Sequence, residues 1–502
     1  MISFLLASLA ALHVTTQSPI PAAARDAARR DAAGVKAGEA GQLDLALEEF
    51  REALRLDPEF ADAHLHLALA LERTGRAREA MASYMDALRL RPASIESRYG
   101  LASVCAKLGD LDGAIALLQQ VVRALPQLAE AHYNLGVNLW NRYKSAAGLK
   151  HNDELTTALK ELEAAANLDP REPRFHVALG QLLAERQELS PAIEQLRIAA
   201  AQREDDPEYA YNLALVLRLN GDLTAAEAQL RSVLRRDPQH ARAHRALGLL
   251  LRQQASFDAA AVELRLATAS LPDDAEAHHL LGTVLLKLNR VDEAMAQLRE
   301  AIRLDPALVE ARVNLAQALA RSGEAALIEA ARTQQAEVRR LNDENARIGR
   351  TLVLLQTASE RTAGGDTAAA IAQLREAIEI TPAFPEAHYQ LGLALERASA
   401  PSSDIERTFR TVLQLNPDHA PARHHLGALL ARRGDVEGAK SELQRAIELA
   451  PGLVDAHREL ARIALEARDW TAAVRHLDQV LLWNPDDRHA TDNRSRALAS
   501  IR

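Results

Sequence analysis

The stretch Asp57–Arg91, DPEFADAHLHLALALERTGRAREAMASYMDALRLR, decides the fold. Asp57 reads as a helix N-cap and Pro58 as the first helical residue. Apolar residues then recur at helical spacing as far as Leu71. Gly75 stands where a left-handed residue would end the helix. A second helix runs from about Ala77 to Arg91, and Pro92 follows. A pair of short helices has an apolar face that it cannot bury alone. It needs a neighbour of the same kind.

The neighbours are in the sequence. Stepping by 34 from Leu67 lands on Leu101 and Leu135. Ten inserted residues reset the count to Leu179, and it continues through Leu213, Leu247, Leu281 and Leu315. Eight more residues bring it to Thr357, then Leu391, and one more to Leu426 and Leu460. With Ala33 before Leu67, this makes 13 units over residues 27–487. The residue after every anchor is Gly or Ala. Eleven of the 19 prolines fall at one phase, the unit's end. Gly41, Gly109, Gly221, Gly323, Gly365 and Gly434 repeat the position of Gly75, with Asn289 as a substitute. The Gly/Ala columns let two helix backbones approach closely, and the Leu column fills the space between neighbouring pairs.

Composition agrees and excludes much else. Hydrophobic residues are 48% of the chain, yet only seventeen are aromatic, so the core is aliphatic. Few Gly and Pro argue against a loop-rich all-β fold. One cysteine allows neither an internal disulfide framework nor a cysteine metal cluster. A net charge of −9 lacks the basic footprint of a nucleic-acid binder. No apolar run reaches the ~20 residues of a membrane span.

The Leu-Gly/Ala pair, the alanine 13 residues later (Ala46, Ala80, Ala114), the further alanine (Ala53, Ala87) and the terminal Pro resemble the tetratricopeptide repeat family. The resemblance implies an all-α, right-handed superhelical solenoid of about 13 helix-turn-helix repeats. Repeats 1–9 would cover 27–340 with an insertion at about 140–155. Repeats 10–13 would cover 345–487, and 488–502 would be a capping helix. In that family helix A lines a concave groove. The column one residue before the anchor holds Asn134, Asn212 and Asn314, with Gln356 and Gln390. These resemble the asparagine ladder that holds an extended peptide backbone, for which an amide offers donor and acceptor together. Beside them stand Tyr99, Tyr133, Tyr211 and Tyr389, which would add contact area. The family's carboxylate-clamp pattern is missing. Five residues before the anchor lies a largely acidic column: Asp62, Glu96, Glu130, Glu208, Glu276, Glu310, Glu386 and Asp455. It would favour a basic or neutral partner.

The residues offer no catalytic constellation, metal site or cofactor motif. The aromatic expected three residues before the anchor is mostly histidine: His64, His132, His176, His244, His278, His388 and His457. Lying on separate helices, they read as packing residues rather than metal ligands. Cys105 reads as a buried, inert thiol. Two insertions break the lattice. Trp140 and Tyr143 belong to the first, as contact residues or as packing over the next helix. In the second, between 324 and 356, Val338, Leu341, Asn345, Ile348, Leu352 and Leu355 follow a short coiled-coil spacing. A long helix packed within the solenoid is the default there, and a homodimer seam is the alternative.

At the N-terminus, Ile2–Leu12 is an uncharged apolar run, followed by Ala22, Ala23 and Ala24. Residues 1–24 thus have the order of a signal peptide, which would send the chain to the periplasm or medium; otherwise it is cytoplasmic. The expected function is a non-catalytic scaffold for a peptide or protein partner. The alternatives are a substrate-delivery subunit for a separate enzyme, such as a protein glycosyltransferase, or a part of an envelope assembly.

Overall fold

A computed structural model describes residues 22–145, 152–321 and 324–501. Its described residues form 26 α-helices and no strand, and most helices are 13 or 14 residues long. The first pair is α1 (Ala22–Glu39) and α2 (Leu43–Leu56), and the second is α3 (Ala61–Arg73) and α4 (Ala77–Leu90). The alternation of A and B helices continues through α5 (Ile95–Lys107), α6 (Leu111–Ala124), α7 (Ala129–Ser145), α8 (Asn152–Leu168) and α9 (Pro173–Glu185). It runs on through α10 (Leu189–Gln202), α11 (Pro207–Leu219), α12 (Leu223–Arg236), α13 (Ala241–Gln253), α14 (Phe257–Ser270), α15 (Ala275–Lys287), α16 (Val291–Leu304) and α17 (Val309–Arg321).

The next helix, α18 (Ala325–Ala363), has 39 residues, about 58 Å. It packs on α17 and on α19 (Thr367–Ile380), so it serves one unit as helix B and the next as helix A. No proline interrupts it. After α20 (Pro385–Arg397), α21 (Ser402–Leu415), α22 (Ala420–Arg432), α23 (Val436–Leu449), α24 (Val454–Glu466) and α25 (Trp470–Trp483) comes a final helix, α26 (Arg488–Ile501). Two compact units result. One joins residues up to 124 with those from 464 onward, and the other spans 125–463.

The Gly/Ala columns do the work expected of them. Ala46, Ala80, Ala114, Ala192, Ala226, Ala260, Ala294, Ala439 and Ala473 are all fully buried. A β-carbon on Gly248 would lie 2.5 Å from Leu264 Cγ, and one on Gly282 2.6 Å from Leu298 Cγ. A leucine on helix B thus fills the room that helix A leaves open. Where helix B brings a larger ring, as Phe50 and Phe409 do, Gly34 and Gly392 make the space.

The Asp-Pro pair is placed differently from the sequence expectation. Asp57 is the extended residue that ends α2, and Phe60 is the N-cap of α3. Asp57 Oδ1 accepts the Glu59 N–H at 3.1 Å, and its carbonyl accepts the Phe60 N–H. The pair therefore starts a turn before the helix, which is where Asp at the first and Pro at the second turn position are both favoured. Asp169, Asp237, Asp305 and Asn416 make the same turn. The Ala22–Ala24 run belongs to α1; the rest of the 1–24 segment lies outside the described residues.

The left-handed residue between helices A and B is glycine at Gly75, with φ +77°. At the same phase, Gln187, Ala255, Ser399 and Arg468 take φ between +51° and +64°. A β-carbon in that region costs roughly 1–2 kcal/mol. Ala255→Gly should therefore stabilise the α13–α14 pair by about 1 kcal/mol, read as slower amide exchange in that pair alone.

Candidate interaction face

The polar side chains of the A helices fall in columns, and each column has its own bonding pattern. The column three residues before the anchor ties helix A to the turn ahead of it and to its own helix B. His64, His132, His176, His244, His278, His388 and His457 each direct Nε2 at the carbonyl six residues earlier, a proline in every case, at 2.8–3.2 Å. In four of them the other ring nitrogen meets helix B. Nδ1 of His132 lies 2.6 Å from Glu161 and that of His244 2.6 Å from Glu263, while His176 and His278 meet Gln195 and Gln297 at 2.7 Å.

Where the column holds arginine, the guanidinium does the same. Arg312 reaches the Pro306 carbonyl and Gln334; Arg423 reaches the Pro417 carbonyl and Glu442. Ala210 lacks such a group. It lies in a surface depression of about 260 Å³ beside Gln229. The histidines are thus packing residues with a defined job, closing carbonyls that the turns leave open.

The asparagine column makes a second set of links. Asn212 Nδ2 donates to the Glu208 carbonyl one turn back at 2.9 Å, and its Oδ1 accepts from Gln181 of the preceding A helix at 3.0 Å. Asn314 Nδ2 meets His279 Nε2 and Thr283 Oγ1, both on the preceding A helix, at 3.0 Å. Asn138 donates to the Asn134 carbonyl at 2.7 Å. Gln390 bonds Glu386, and Gln356 bonds Glu360. Asn134, Asn212 and Asn314 are half-buried.

The tyrosines pack along the same face. The Tyr133 ring lies 5.1 Å from Phe175, Tyr211 lies 5.3 Å from His240, and Tyr389 lies 4.6 Å from His419. Arg174 sits over Tyr133 and Arg242 over Tyr211. Tyr99 is half-buried on α5. Burial raises the pKa of Tyr133 and of Tyr389.

Much of the acidic column is paired with basic residues, which offsets part of its charge. Asp62 takes Arg91, Glu130 takes Arg174, Glu276 takes Arg245, and Glu208 takes both Arg242 and His240. Glu386 differs. Burial raises its pKa and Gln390 is its hydrogen-bond partner. With Tyr389 and two histidines it forms a buried titrating group on this face. In that group burial lowers the pKa of His419, which caps α22, and of His424, next to His425 with its 2.7 Å contact to Glu396. Residue spacing alone did not single out this cluster. Its signal was His419 at the start of one A helix and His424 and His425 on it; the His419 and His425 rings lie 4.6 and 6.0 Å from Tyr389.

In the first insertion, Trp140 Nε1 donates to Glu185 at the end of α9, at 2.7 Å, and Lys144 covers the indole. Trp140 therefore packs over the neighbouring helix, and Tyr143 is half-buried beside it. Residues 146–151 lie outside the described set. The seam on α18 is divided. Leu355 is fully buried and Leu352 packs against the core with it, whereas Val338 and Leu341 are half-buried and Asn345 and Ile348 are exposed. The C-terminal part of that heptad pattern is core, because α18 acts there as a helix A.

Cys105 is buried, and burial raises its thiol pKa. Among the described residues, no group of three or more His, Cys, Asp or Glu could hold a metal ion. No described helix is long and apolar enough to cross a membrane.

Family models described as TPR repeat match residues 39–75, 282–323 and 358–398. Models described as tetratricopeptide repeat match 73–135, 430–492 and overlapping stretches from 149 to 275. Together they cover well over half of the chain. The TPR repeat-containing protein PA4299 of Pseudomonas aeruginosa is 35% identical over 107 residues, 18% of this chain and 43% of that protein. The match thus spans less than half of that relative. Among solved structures, a tetratricopeptide repeat protein from Parabacteroides merdae is 17% identical over 52% of this chain and 99% of that one, with a TM-score of 0.41. The thermophilic TPR protein TTC0263 of Thermus thermophilus is 26% identical over 38% of this chain and 98% of that one, with a TM-score of 0.32.

Two outcomes follow from the bonding just described. His244→Ala strips the Pro238 carbonyl and Glu263 of their partner and should cost about 1–3 kcal/mol, read as faster amide exchange in α13 and α14. His244→Arg should restore most of that loss, as Arg312 and Arg423 do in their own units. The second outcome concerns pH. His419 and His424 are held neutral in the fold by burial, so the unfolded chain takes up protons first as pH falls through the ordinary value of 6.5. Protection of α20 and α22 against exchange, corrected for the intrinsic pH dependence of the amides, should then fall between pH 7 and roughly 5.5. Glu386 works in the opposite sense, losing stability as pH rises through its raised pKa. The His419→Asn, His424→Gln double variant should flatten the histidine response.

Proposed function

Because the chain belongs to the tetratricopeptide repeat family, we propose that it is a non-catalytic scaffold that holds an extended segment of a partner protein along its A helices. The observation that carries this reading is the pairing of an aromatic and an amide at the same two positions of separate A helices. Tyr133 with Asn134, Tyr211 with Asn212, and Tyr389 with Gln390 repeat it within one compact unit. An amide can make up to four hydrogen bonds, and the two that Asn212 makes leave it a donor and an acceptor site. Those existing bonds also fix its orientation, which lowers the entropy lost when a peptide backbone pairs with it. Because arginines offset much of the acidic column, charge selects the partner less than shape and backbone pairing do. The apolar run Ile2–Leu12 supports an exported location, periplasmic or secreted.

The test is affinity capture from an extract of the source cells. The chain is used beside an Asn134→Ala, Asn212→Ala, Asn314→Ala variant whose helicity is unchanged. Partners should share an extended segment, and peptides of that segment should bind the variant about 10-fold or more weakly. Equal binding by both chains would move the site off this column.

A further inference from the structure

The column three residues before the anchor has a gap. In the units from α3 onward, every A helix that follows a turn carries histidine or arginine there except α11, which has Ala210. The unit's terminal proline is missing at the same place. Glu204 stands six residues before Ala210, where Pro170 and Pro238 stand in the flanking units. The depression of about 260 Å³ at Ala210 lies between two B helices. Arg197 of α10 lines one side, Gln229 and Arg236 of α12 line the other, and the buried Ala210 and Leu213 of α11 lie beneath. Glu204 lines it as well.

Other units show what a ring in this place meets. His176 Nε2 lies 3.1 Å from the Pro170 carbonyl, and its Nδ1 lies 2.7 Å from Gln195. His278 repeats this at 3.0 Å from the Pro272 carbonyl and 2.7 Å from Gln297. Gln195 and Gln297 stand 19 residues after their histidines, and Gln229 stands 19 after Ala210. Both partners of the ring are therefore in place in the α11 unit, and the ring is not. Among the described residues the Glu204 carbonyl accepts no hydrogen bond and Gln229 makes none. Solvent reaches both: Glu204 is exposed, and Gln229 is half-buried with its amide open to water. Arg197, Arg236 and Glu204 form no ion pair among the described residues. Two arginines against one carboxylate make the rim net positive, so it favours a neutral ring over a guanidinium or an ammonium group.

We propose that this depression is a docking site for a histidine side chain of a partner protein, seated as the missing member of the histidine column. The imidazole N–H donates to the Glu204 carbonyl, the other ring nitrogen accepts from the Gln229 amide, and the ring lies against Ala210 and Leu213. A side chain bound in this way touches α10, α11 and α12 at once and ties two successive repeats together. Ala210 and Asn212 are two residues apart on α11, which turns them about 200° from one another. The site therefore looks away from the asparagine column and does not depend on it.

The probe is N-acetylhistidine N-methylamide, titrated calorimetrically at pH 8 into the full-length chain, with the corresponding phenylalanine and arginine compounds as controls. Wild type should show saturable one-site binding of the histidine probe below roughly 10 mM. The phenylalanine compound keeps a ring but lacks both polar contacts and should bind about 10-fold or more weakly. Ala210→His puts the chain's own imidazole where His176 and His278 have theirs. It should abolish probe binding and slow amide exchange in α11 and α12. Gln229→Leu leaves the depression open, should weaken binding several-fold, and covers the case in which Ala210→His does not fold. The triple asparagine variant should bind the probe as wild type does, so failure here leaves the scaffold reading untouched. No saturable heat, equal affinity for the phenylalanine compound, tighter binding of the arginine compound, or unchanged affinity in folded Ala210→His would each overturn the proposal.

Discussion

Everything in this chain depends on how closely the two helices of a unit can approach. The distance is set by residues with almost no side chain. Gly248 and Gly282 leave no room for a methyl group against Leu264 and Leu298, and the alanines of the next column are fully buried. Each unit therefore gains most of its apolar burial from its own second helix and from one neighbour on each side. Stability in such a chain is a sum of local terms. The polar columns follow from this. Once the backbones are fixed at close range, a histidine or arginine three residues before the anchor meets the same carbonyl in each unit from α3 onward that carries one. Histidine and arginine are two ways of reaching it.

This explains what was legible in the sequence and what was not. The units, their phase and the junction at 324–356 are periodic features of small and apolar residues, and such residues act through volume alone. The Asp-Pro pair was placed one turn too late because both residues favour a helix start and a turn start. What decided between them was the extended residue that must follow helix B. The histidine column was visible as a column, and its packing role followed from the spacing. Its hydrogen bonds were not visible, because the partner is a backbone carbonyl and carries no sequence signature. The pairing of the acidic column was hidden for a related reason. Asp62, Glu130 and Glu208 stand at one phase, whereas their arginines, Arg91, Arg174 and Arg242, come from more than one position in the unit.

The candidate face shows the same limit. Asn212 and Asn314 stand in one column, yet one bonds a glutamine and the other a histidine and a threonine on the preceding helix. Half of an amide's capacity can thus serve repeat-to-repeat packing while the other half remains for a ligand. Structural and binding roles are not alternatives for such a residue. A side chain held by its neighbour is already in the orientation that a partner would need.

The seam where α25 meets α4 and α6 in the first unit tests the idea that burial alone governs this fold. Contacts between successive repeats satisfy most of their polar groups, because each position meets the same environment unit after unit. The contact of α25 with α4 and α6 joins parts of the chain that the lattice does not relate. Arg98, Gln120, Gln479 and Trp483 account for four of the seven buried side-chain atoms without partners among the described residues. A contact that buries polar groups without bonding them gains little from closing. Its free energy is then near balance, and a modest interaction supplied from outside is enough to bias it. The regular lattice is less open to such a response, since few of its buried polar groups lack a partner.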